Sequence, residues 1–369
     1  MKRLGVFLLA LAMLFTLAAC GSSSNPGSSA AAGSAAAGTA DKPLKVALLI
    51  NGTLGDKSFN DSAANGMKMI DEQLPNVKTK VVEMTTDDTK WEPDVLDAID
   101  EGNDIIISGT WQMQDVIAKI APEYPNVKFI VYDTSMDYSN GAFPNVYSIE
   151  YKQCDGSFLA GVLAASMSQS KQIGFVGGMD NTVIYDFLVG YIQGAQAVDS
   201  SIKVTSSFVG NFTDSARAKE LATSQYNMGT DIIFSCASNA GDGTMQAGKD
   251  LGKYVIGVDS DQAKLYQDTD PVLAKLIPTS VLKRVDISLL QAVKAAQEGN
   301  LAWGTSVSVG IAENCIGLAD NDIYQSIVPQ KTRDLIDQYT KEIKDGSITV
   351  KSAFDMSTDE LTAFVNSAK

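Results

Sequence analysis

The 369-residue chain is 45% hydrophobic and 20% charged, a globular composition long enough for two domains of roughly 100–200 residues each. Its net charge of −15 and pI near 4.5 set it against phosphate backbones, so nucleic acid is not expected as a partner. With 0 histidines it cannot run Ser-His-Asp or Cys-His chemistry or hold a His-ligated metal, and 4 cysteines are too few for a disulfide-built scaffold.

Lys2 and Arg3, the apolar run Leu4–Leu17 and the small residues before Cys20 read as an export signal. The run is shorter than the ~20 apolar residues that a spanning helix needs. Leu17-Ala18-Ala19-Cys20 resembles the bacterial lipobox, in which the cysteine is diacylated and the chain is cut just before it. An ordinary cleaved signal with an incidental cysteine is the alternative. Residues 1–19 are thus expected as a lipoprotein signal peptide and Cys20 as the lipidation site, holding the protein at the extracytoplasmic face of the cell membrane. Gly21–Ala40 contains only Gly, Ser, Ala, Thr, Asn and the single proline Pro26, so residues 20–42 are expected to act as a flexible tether. The remaining Cys154, Cys236 and Cys315 are an odd set in apolar surroundings, where inert buried thiols are expected.

From Pro43 onward short apolar runs alternate with longer amphipathic stretches. The predicted strands are Lys45–Ile50, Thr79–Met84, Asp104–Ser108 and Lys128–Asp133, then Ile173–Val176, Val204–Val209, Asp231–Cys236 and Tyr254–Val258. Each is rich in Val, Ile or Phe with almost no polar alternation, as expected of parallel-sheet strands covered on both faces. The predicted helices are Phe59–Gln73, Gln112–Tyr124, Ser157–Met167, Tyr185–Val198, Ala216–Met228 and Val285–Gly299. This βαβα rhythm predicts a doubly wound α/β fold. It pauses over Asp137–Lys152, with an extended piece at Val146–Tyr151, and pauses again at Pro278–Lys283. The reading is two parallel-sheet lobes joined by hinge crossings near residues 150, 280 and 310. One lobe would comprise 43–150 plus about 281–312, the other 151–280 plus about 313–369.

Ligands of open α/β sheets bind beyond the carboxyl ends of the strands, and in two facing lobes those ends converge on one cleft. The first strand leads into Asn51-Gly52-Thr53-Leu54-Gly55-Asp56-Lys57-Ser58-Phe59-Asn60, where Ser58 or Asn60 can cap the next helix. Phe59 is either a hydrophobic staple or a stacking platform for a flat ligand, with Asn60 offering a donor and an acceptor to its edge. Asp133, ending the fourth strand, is either a cap or an acceptor for a ring N–H. Phe212, in Gly210-Asn211-Phe212-Thr213-Asp214, is a second aromatic at a loop-to-helix start. Two such rings on opposing lobes can sandwich one base, and stacking of this kind is worth ~1–3 kcal/mol per base. Gly241, in Ala237–Gly243, lets the backbone approach a ligand. Asp259 can accept from two ribose hydroxyls, and Lys283 either donates to the same sugar or is a solvated hinge lysine paired with a surface acid.

Gly243-Thr244-Met245-Gln246-Ala247-Gly248-Lys249-Asp250 nearly spells a phosphate loop. The final Asp cannot supply the magnesium-binding hydroxyl and repels phosphate, and a helix starting near Gly243 carries Lys249 away from any anion site. The match is accidental.

Asp56-Lys57-Ser58-Phe59-Asn60, Ser157-Phe158-Leu159-Ala160-Gly161, Phe175-Val176-Gly177-Gly178, Gly257-Val258-Asp259-Ser260-Asp261-Gln262 and Ser280-Val281-Leu282-Lys283 occur in this order. Together they resemble the basic membrane protein (Bmp) family, nucleoside-receptor lipoproteins of bacterial ABC importers. The resemblance implies a type I periplasmic-binding-protein fold, a purine nucleoside as ligand, and delivery to an ABC permease with its ATPase subunits by a monomeric, membrane-anchored receptor. It further implies that Phe59 and Phe212 stack on the base, that Asn60 and Asp133 bond its edge, and that Asp259 and Lys283 hold the ribose, with Gly241 lining the pocket by its backbone. No catalytic residue, cofactor or metal is expected. Two rival readings stay open: the same fold carrying a sugar or signalling molecule, and a nucleoside hydrolase with Asp259 and Asp261 as metal ligands.

Overall fold

A computed structural model describes residues 42–369. The expected signal peptide, the lipidation site Cys20 and nearly all of the tether lie outside the described residues.

The first run of elements is β1 (Leu44–Ile50), α1 (Phe59–Gln73), β2 (Val77–Glu83), α2 (Trp91–Asp100), β3 (Ile105–Gly109), α3 (Gln114–Ile120), β4 (Lys128–Tyr132) and β5 (Val146–Tyr151). The second is α4 (Gln153–Met167), β6 (Gln172–Gly177), α5 (Thr182–Val198), β7 (Lys203–Phe208), α6 (Ser215–Asn227), β8 (Ile232–Cys236), α7 (Gly241–Leu251), β9 (Tyr254–Asp259), α8 (Gln262–Gln267), α9 (Pro271–Ala274) and β10 (Ser280–Lys283). The chain closes with α10 (Val285–Gln297), β11 (Thr305–Val309), β12 (Ile316–Leu318), α11 (Asp322–Ile327), α12 (Gln330–Lys344) and α13 (Thr358–Ser367).

The strands form two sheets, ordered β11-β5-β4-β3-β1-β2 and β12-β10-β9-β8-β6-β7. Every pairing is parallel except β10 with β12. The chain changes sheet between β5 and α4, around β10 and α10, and between β11 and β12. Here α10 lies against α1, while α12 and α13 pack on α4 and α5. Each sheet is therefore assembled from segments distant in sequence, and the places where the chain changes sheet are short extended stretches suited to hinging.

Central strands are buried on both faces: Val46–Ile50 of β1 and all of β3 are inaccessible, which is why they read as unbroken apolar runs. The edge strand β2 corrects that pattern. In Val-Lys-Thr-Lys-Val-Val-Glu only Val77 is buried, and Lys78 and Lys80 face solvent, as a sheet edge requires to discourage further pairing. Helices α4 and α5 touch through glycines: a Cβ on Gly194 would stand 1.8 Å from the Phe158 carbonyl oxygen, so the close approach admits no side chain there. Cys154, Cys236 and Cys315 are all free and buried, and burial pushes each thiol above its usual range, which makes them inert packing groups.

Candidate functional site

The strand ends of both sheets enclose a cavity of about 320 Å³. Its walls come from the segments after β1, β3 and β4 on one side and after β6, β7, β8 and β9 on the other, with Lys283 at the end of β10. Phe59, Asn60, Asp133, Phe212, Asp259 and Lys283 all line it. Gly241 does not. A 3₁₀ turn, Ser238–Ala240, intervenes between β8 and α7, so Ser238 and Asn239 occupy the wall, while a Cβ on buried Gly241 would meet the Ser235 hydroxyl at 2.9 Å.

The loop ahead of α1 is organised by two aspartates. Asp56, only 1% exposed, accepts from the backbone N–H groups of Ser58 (3.0 Å), Asn60 (2.9 Å) and Asp61 (3.0 Å), satisfying the open start of α1. Asp61 accepts in turn from the N–H groups of Gly55 and Lys57, both at 2.8 Å. Ser58 sits at the cap position but makes no side-chain cap; its hydroxyl donates across the cleft to the Asp259 carboxylate. Because Asp56 caps the helix, Phe59 is fixed at its first position with its ring tilted 34° against Tyr132 at 5.5 Å between centroids. Asn60 donates its amide to the Thr53 carbonyl at 3.0 Å, so of its two edge functions the oxygen is the one without a protein partner.

Backbone strain collects here. Thr110, Asp133, Ser238 and Asp259 follow or end β3, β4, β8 and β9; all have positive φ (70°, 61°, 48° and 65°), and all line the cavity. Aspartate tolerates this region, but a β-branched threonine at φ 70°, ψ 159° is in territory almost reserved for glycine, at a cost of order 1–3 kcal/mol. Strain of this kind persists only where the surroundings hold it, and here Asn51 donates to the Thr110 hydroxyl at 3.0 Å and to Gln112 Oε1 at 3.3 Å.

Lys283 is 1% exposed, so the solvated-hinge reading of it is corrected. Its ammonium contacts the Asp133 carboxylate and lies 5.0, 5.4 and 5.6 Å from the ring centroids of Tyr151, Phe187 and Phe59. Aromatic faces replace part of the hydration a buried ammonium loses. Burial raises Asp56 and Asp133 and pushes Asp259 up to about 7, against the lowering effects of Lys283 on both Asp133 and Asp259 and of the Ser58 hydroxyl on Asp259. Asp259 alone thus favours folding below pH 3.8, an advantage lost as pH rises through about 7.

Several contacts tie the two sides of the cleft together. Ser238 donates to Asp56 at 2.9 Å, Ser260 to the Ser58 carbonyl at 3.3 Å, and the Gln262 amide to the Lys57 carbonyl at 3.3 Å. Farther out, Lys57 pairs with Asp242 at 3.4 Å, and Asp242 also accepts from the Tyr266 hydroxyl at 2.5 Å. This is a closed arrangement in which the lobes hold one another directly. Asp261 is outside the cavity wall: it caps α8 through Lys264 N–H and accepts from Asn321, so Asp259 and Asp261 do not form a pair of metal ligands. Lys249 lies in the last turn of α7, bound to Asp270 at 2.6 Å, as the accidental phosphate-loop match requires.

Sequence reasoning missed Asn51, Trp111, Gln112 and Phe187 in the wall. Trp111 had a findable signal, since it follows the third predicted strand by the same logic that singled out Asp133. Phe187 had none, because it lies one turn inside an apolar helix.

A family model described as ABC transporter substrate-binding protein PnrA-like (Bmp) matches residues 44–349. Basic membrane protein A of Borreliella burgdorferi is 31% identical over 312 residues, 84% of this chain and 88% of that protein. A Lactococcus lactis protein named ABC transporter nucleoside-binding protein BmpA is 27% identical over 364 residues, 95% of this chain and 99% of that protein. Among solved structures, an ABC transporter solute-binding protein from Aeropyrum pernix K1 superposes with a TM-score of 0.75 at 25% identity, covering 88% of this chain and all of that one.

Proposed function

The chain belongs to the PnrA-like (Bmp) family of ABC transporter substrate-binding proteins and has their type I periplasmic-binding-protein fold; on that premise we propose that it captures a nucleoside, most plainly a purine nucleoside, between its lobes and delivers it to a membrane permease. The observation that carries this reading is the pair Phe59 and Phe212, presented from opposite lobes into one cavity that also holds Asp133, Asp259 and Lys283. Two benzyl faces suit a planar heterocycle, and buried carboxylates suit its N–H edge and the hydroxyls of a sugar. Among the described residues the one cation in the wall, Lys283, is already matched by Asp133, so the site favours a neutral ligand over a phosphorylated one. The relative named as nucleoside-binding supports the same assignment.

In this reading Phe59 and Phe212 stack on the base, Asn60 and Asp133 meet its edge, and Asp259 with Lys283 holds the ribose. Closure traps the ligand because the cross-cleft bonds of Asp56, Ser58 and Ser238 form only when the lobes meet. Cys20 carries the lipid that keeps the monomeric receptor beside its permease and ATPase subunits at the extracytoplasmic face.

Calorimetric titration with adenosine, guanosine, inosine and ribose tests the reading, together with incubation with inosine and assay for free hypoxanthine. Saturable nucleoside binding with inosine intact supports it. Tighter binding of ribose than of any nucleoside, or release of hypoxanthine, overturns it.

A pH dependence follows from Asp259. An ionised carboxylate accepts from two ribose hydroxyls, whereas its protonated form keeps one oxygen as a donor. With Asp259 at about 7, nucleoside affinity is expected to fall by up to about tenfold between pH 8 and pH 6, because at pH 6 the proton must first be displaced. Asp259→Asn should bind more weakly throughout and show a flat profile. An unchanged slope in that variant would assign the titration elsewhere.

A further inference from the structure

A second cavity, of about 1000 Å³, lies beside the first. It is bounded by the chain leaving β5 (Glu150–Asp155), by Asp186 of α5 and by the tail segment Ile348–Asp355. Only Trp111, Asp133, Asn181 and Val183 line both cavities. Of these, Asp133 is held by Lys283, and the Asn181 side chain accepts from Ile184 N–H at 3.0 Å to cap α5. Val183 is small. Among the described residues Trp111 is the one large aromatic side chain common to both, and no hydrogen bond from its ring is found.

The contrast with its own backbone is sharp. Asn51 grips the residues on either side of Trp111, Met113 is fully buried, and Gln114 donates to the Ser135 carbonyl at 2.6 Å. The segment that presents the indole is therefore rigid. Trp111 is 41% exposed, and no protein acceptor for its indole N–H is found among the described residues, whereas the buried Trp91 donates to the Thr85 carbonyl at 3.0 Å. At this exposure the indole N–H can meet water, so what marks the ring is its position: it stands on a pinned backbone where the two cavities meet.

We propose that Trp111 is a specificity-determining residue, a partition that ends the ligand chamber and so sets how long a ligand the site admits. The inference rests on the nucleoside reading above. While the indole is in place, a base and one sugar fill the first cavity, and any bulky extension toward Asp133 meets the ring. Without it, the chamber opens into the second cavity, whose far wall carries Glu150, Asp155 and Asp186.

The test compares wild-type protein with Trp111→Ala and Trp111→Phe by calorimetry. The ligands are adenosine, adenosine benzylated on its exocyclic amine, and adenosine benzylated on its 5′ oxygen. Wild-type protein should bind both extended ligands at least tenfold more weakly than adenosine. Trp111→Ala should bring at least one of them within threefold of adenosine, and Trp111→Phe should restore most of the exclusion. If Trp111→Ala keeps the wild-type ratios, or wild-type protein accepts both extended ligands as well as adenosine, the partition is overturned while nucleoside binding stands. If wild-type protein binds no nucleoside at all, the functional reading itself fails and the partition falls with it. Urea denaturation of each variant guards against misfolding, and a partly exposed ring should be removable with little loss of stability.

Discussion

Lys283→Met is expected to abolish measurable nucleoside binding and to destabilise the free protein. The methionine fills a similar volume and keeps contact with Tyr151, Phe187 and Phe59, so packing is nearly conserved and the change isolates the charge. What is lost is, among the described residues, the only cation lining a cavity that also contains Asp133 and Asp259, the first in direct contact with it. Removing one partner of a buried ion pair typically costs about 3–5 kcal/mol, because the remaining charge is stranded. Opening of the lobes to water and protonation of both aspartates, which burial already raises, place the loss at the lower end of that range. Urea denaturation at pH 5 and pH 8 separates the terms: the deficit should be smaller at pH 5, because burial shifts protonation of Asp133 and Asp259 upward and a protonated carboxyl leaves no charge stranded. Lys283→Met combined with Asp133→Asn should recover most of the stability and none of the affinity. A single variant with wild-type stability at pH 8 would mean that Lys283 and Asp133 are not an ion pair in solution.

The parts of this architecture that the sequence makes legible are those fixed by local burial. Lys45–Ile50 reads as a strand because the faces of Val46–Ile50 are covered, and the strand starts one residue earlier, at Leu44; Phe59–Gln73 reads as a helix between the same limits that it adopts. Val146–Tyr151, an extended piece in a pause of the rhythm, is the strand after which the chain leaves its sheet. Strand-end logic also reached Asp133, Asp259 and both phenylalanines. It failed where a residue's role is decided by a distant partner. Ser58 and Asn60 are the caps that the sequence offers, yet the Ser58 hydroxyl serves a carboxylate 201 residues away and the capping passes to Asp56. Thr110 adopts a glycine-like conformation with no trace in its own residue type, because Asn51, 59 positions earlier, holds it there. Helix α2 has a weak sequence signal, because Trp-Glu-Pro-Asp-Val-Leu-Asp-Ala-Ile-Asp buries only Trp91, Val95 and Ala98 and carries a proline in its first turn.

The second large effect is that of the two rings. Phe59→Ala and Phe212→Ala should each weaken nucleoside binding by more than tenfold in calorimetry, within the ~1–3 kcal/mol that one base–aromatic stack contributes. The two losses should be unequal. Phe59 is backed by Tyr132 at 5.5 Å and has the Lys283 ammonium at 5.6 Å from its ring, so its removal loosens the lysine as well as the stack. Phe212 packs over Gly178, where a Cβ would fall 2.3 Å from the ring, and against the core, but no ammonium is found beside it among the described residues, so its removal takes away the stacking face without loosening a charge. Phe59→Ala is therefore the more damaging of the two. Phe→Leu at either position keeps most of the apolar contact and should recover part of the loss, and the unrecovered remainder measures the π-face itself. In the proposed sandwich both rings touch one ligand, so the double variant should lose less than the two single losses added together, a coupling of about 0.5–1 kcal/mol. Strict additivity would mean that the rings act on different parts of the ligand, and wild-type affinity in both single variants would remove the sandwich altogether.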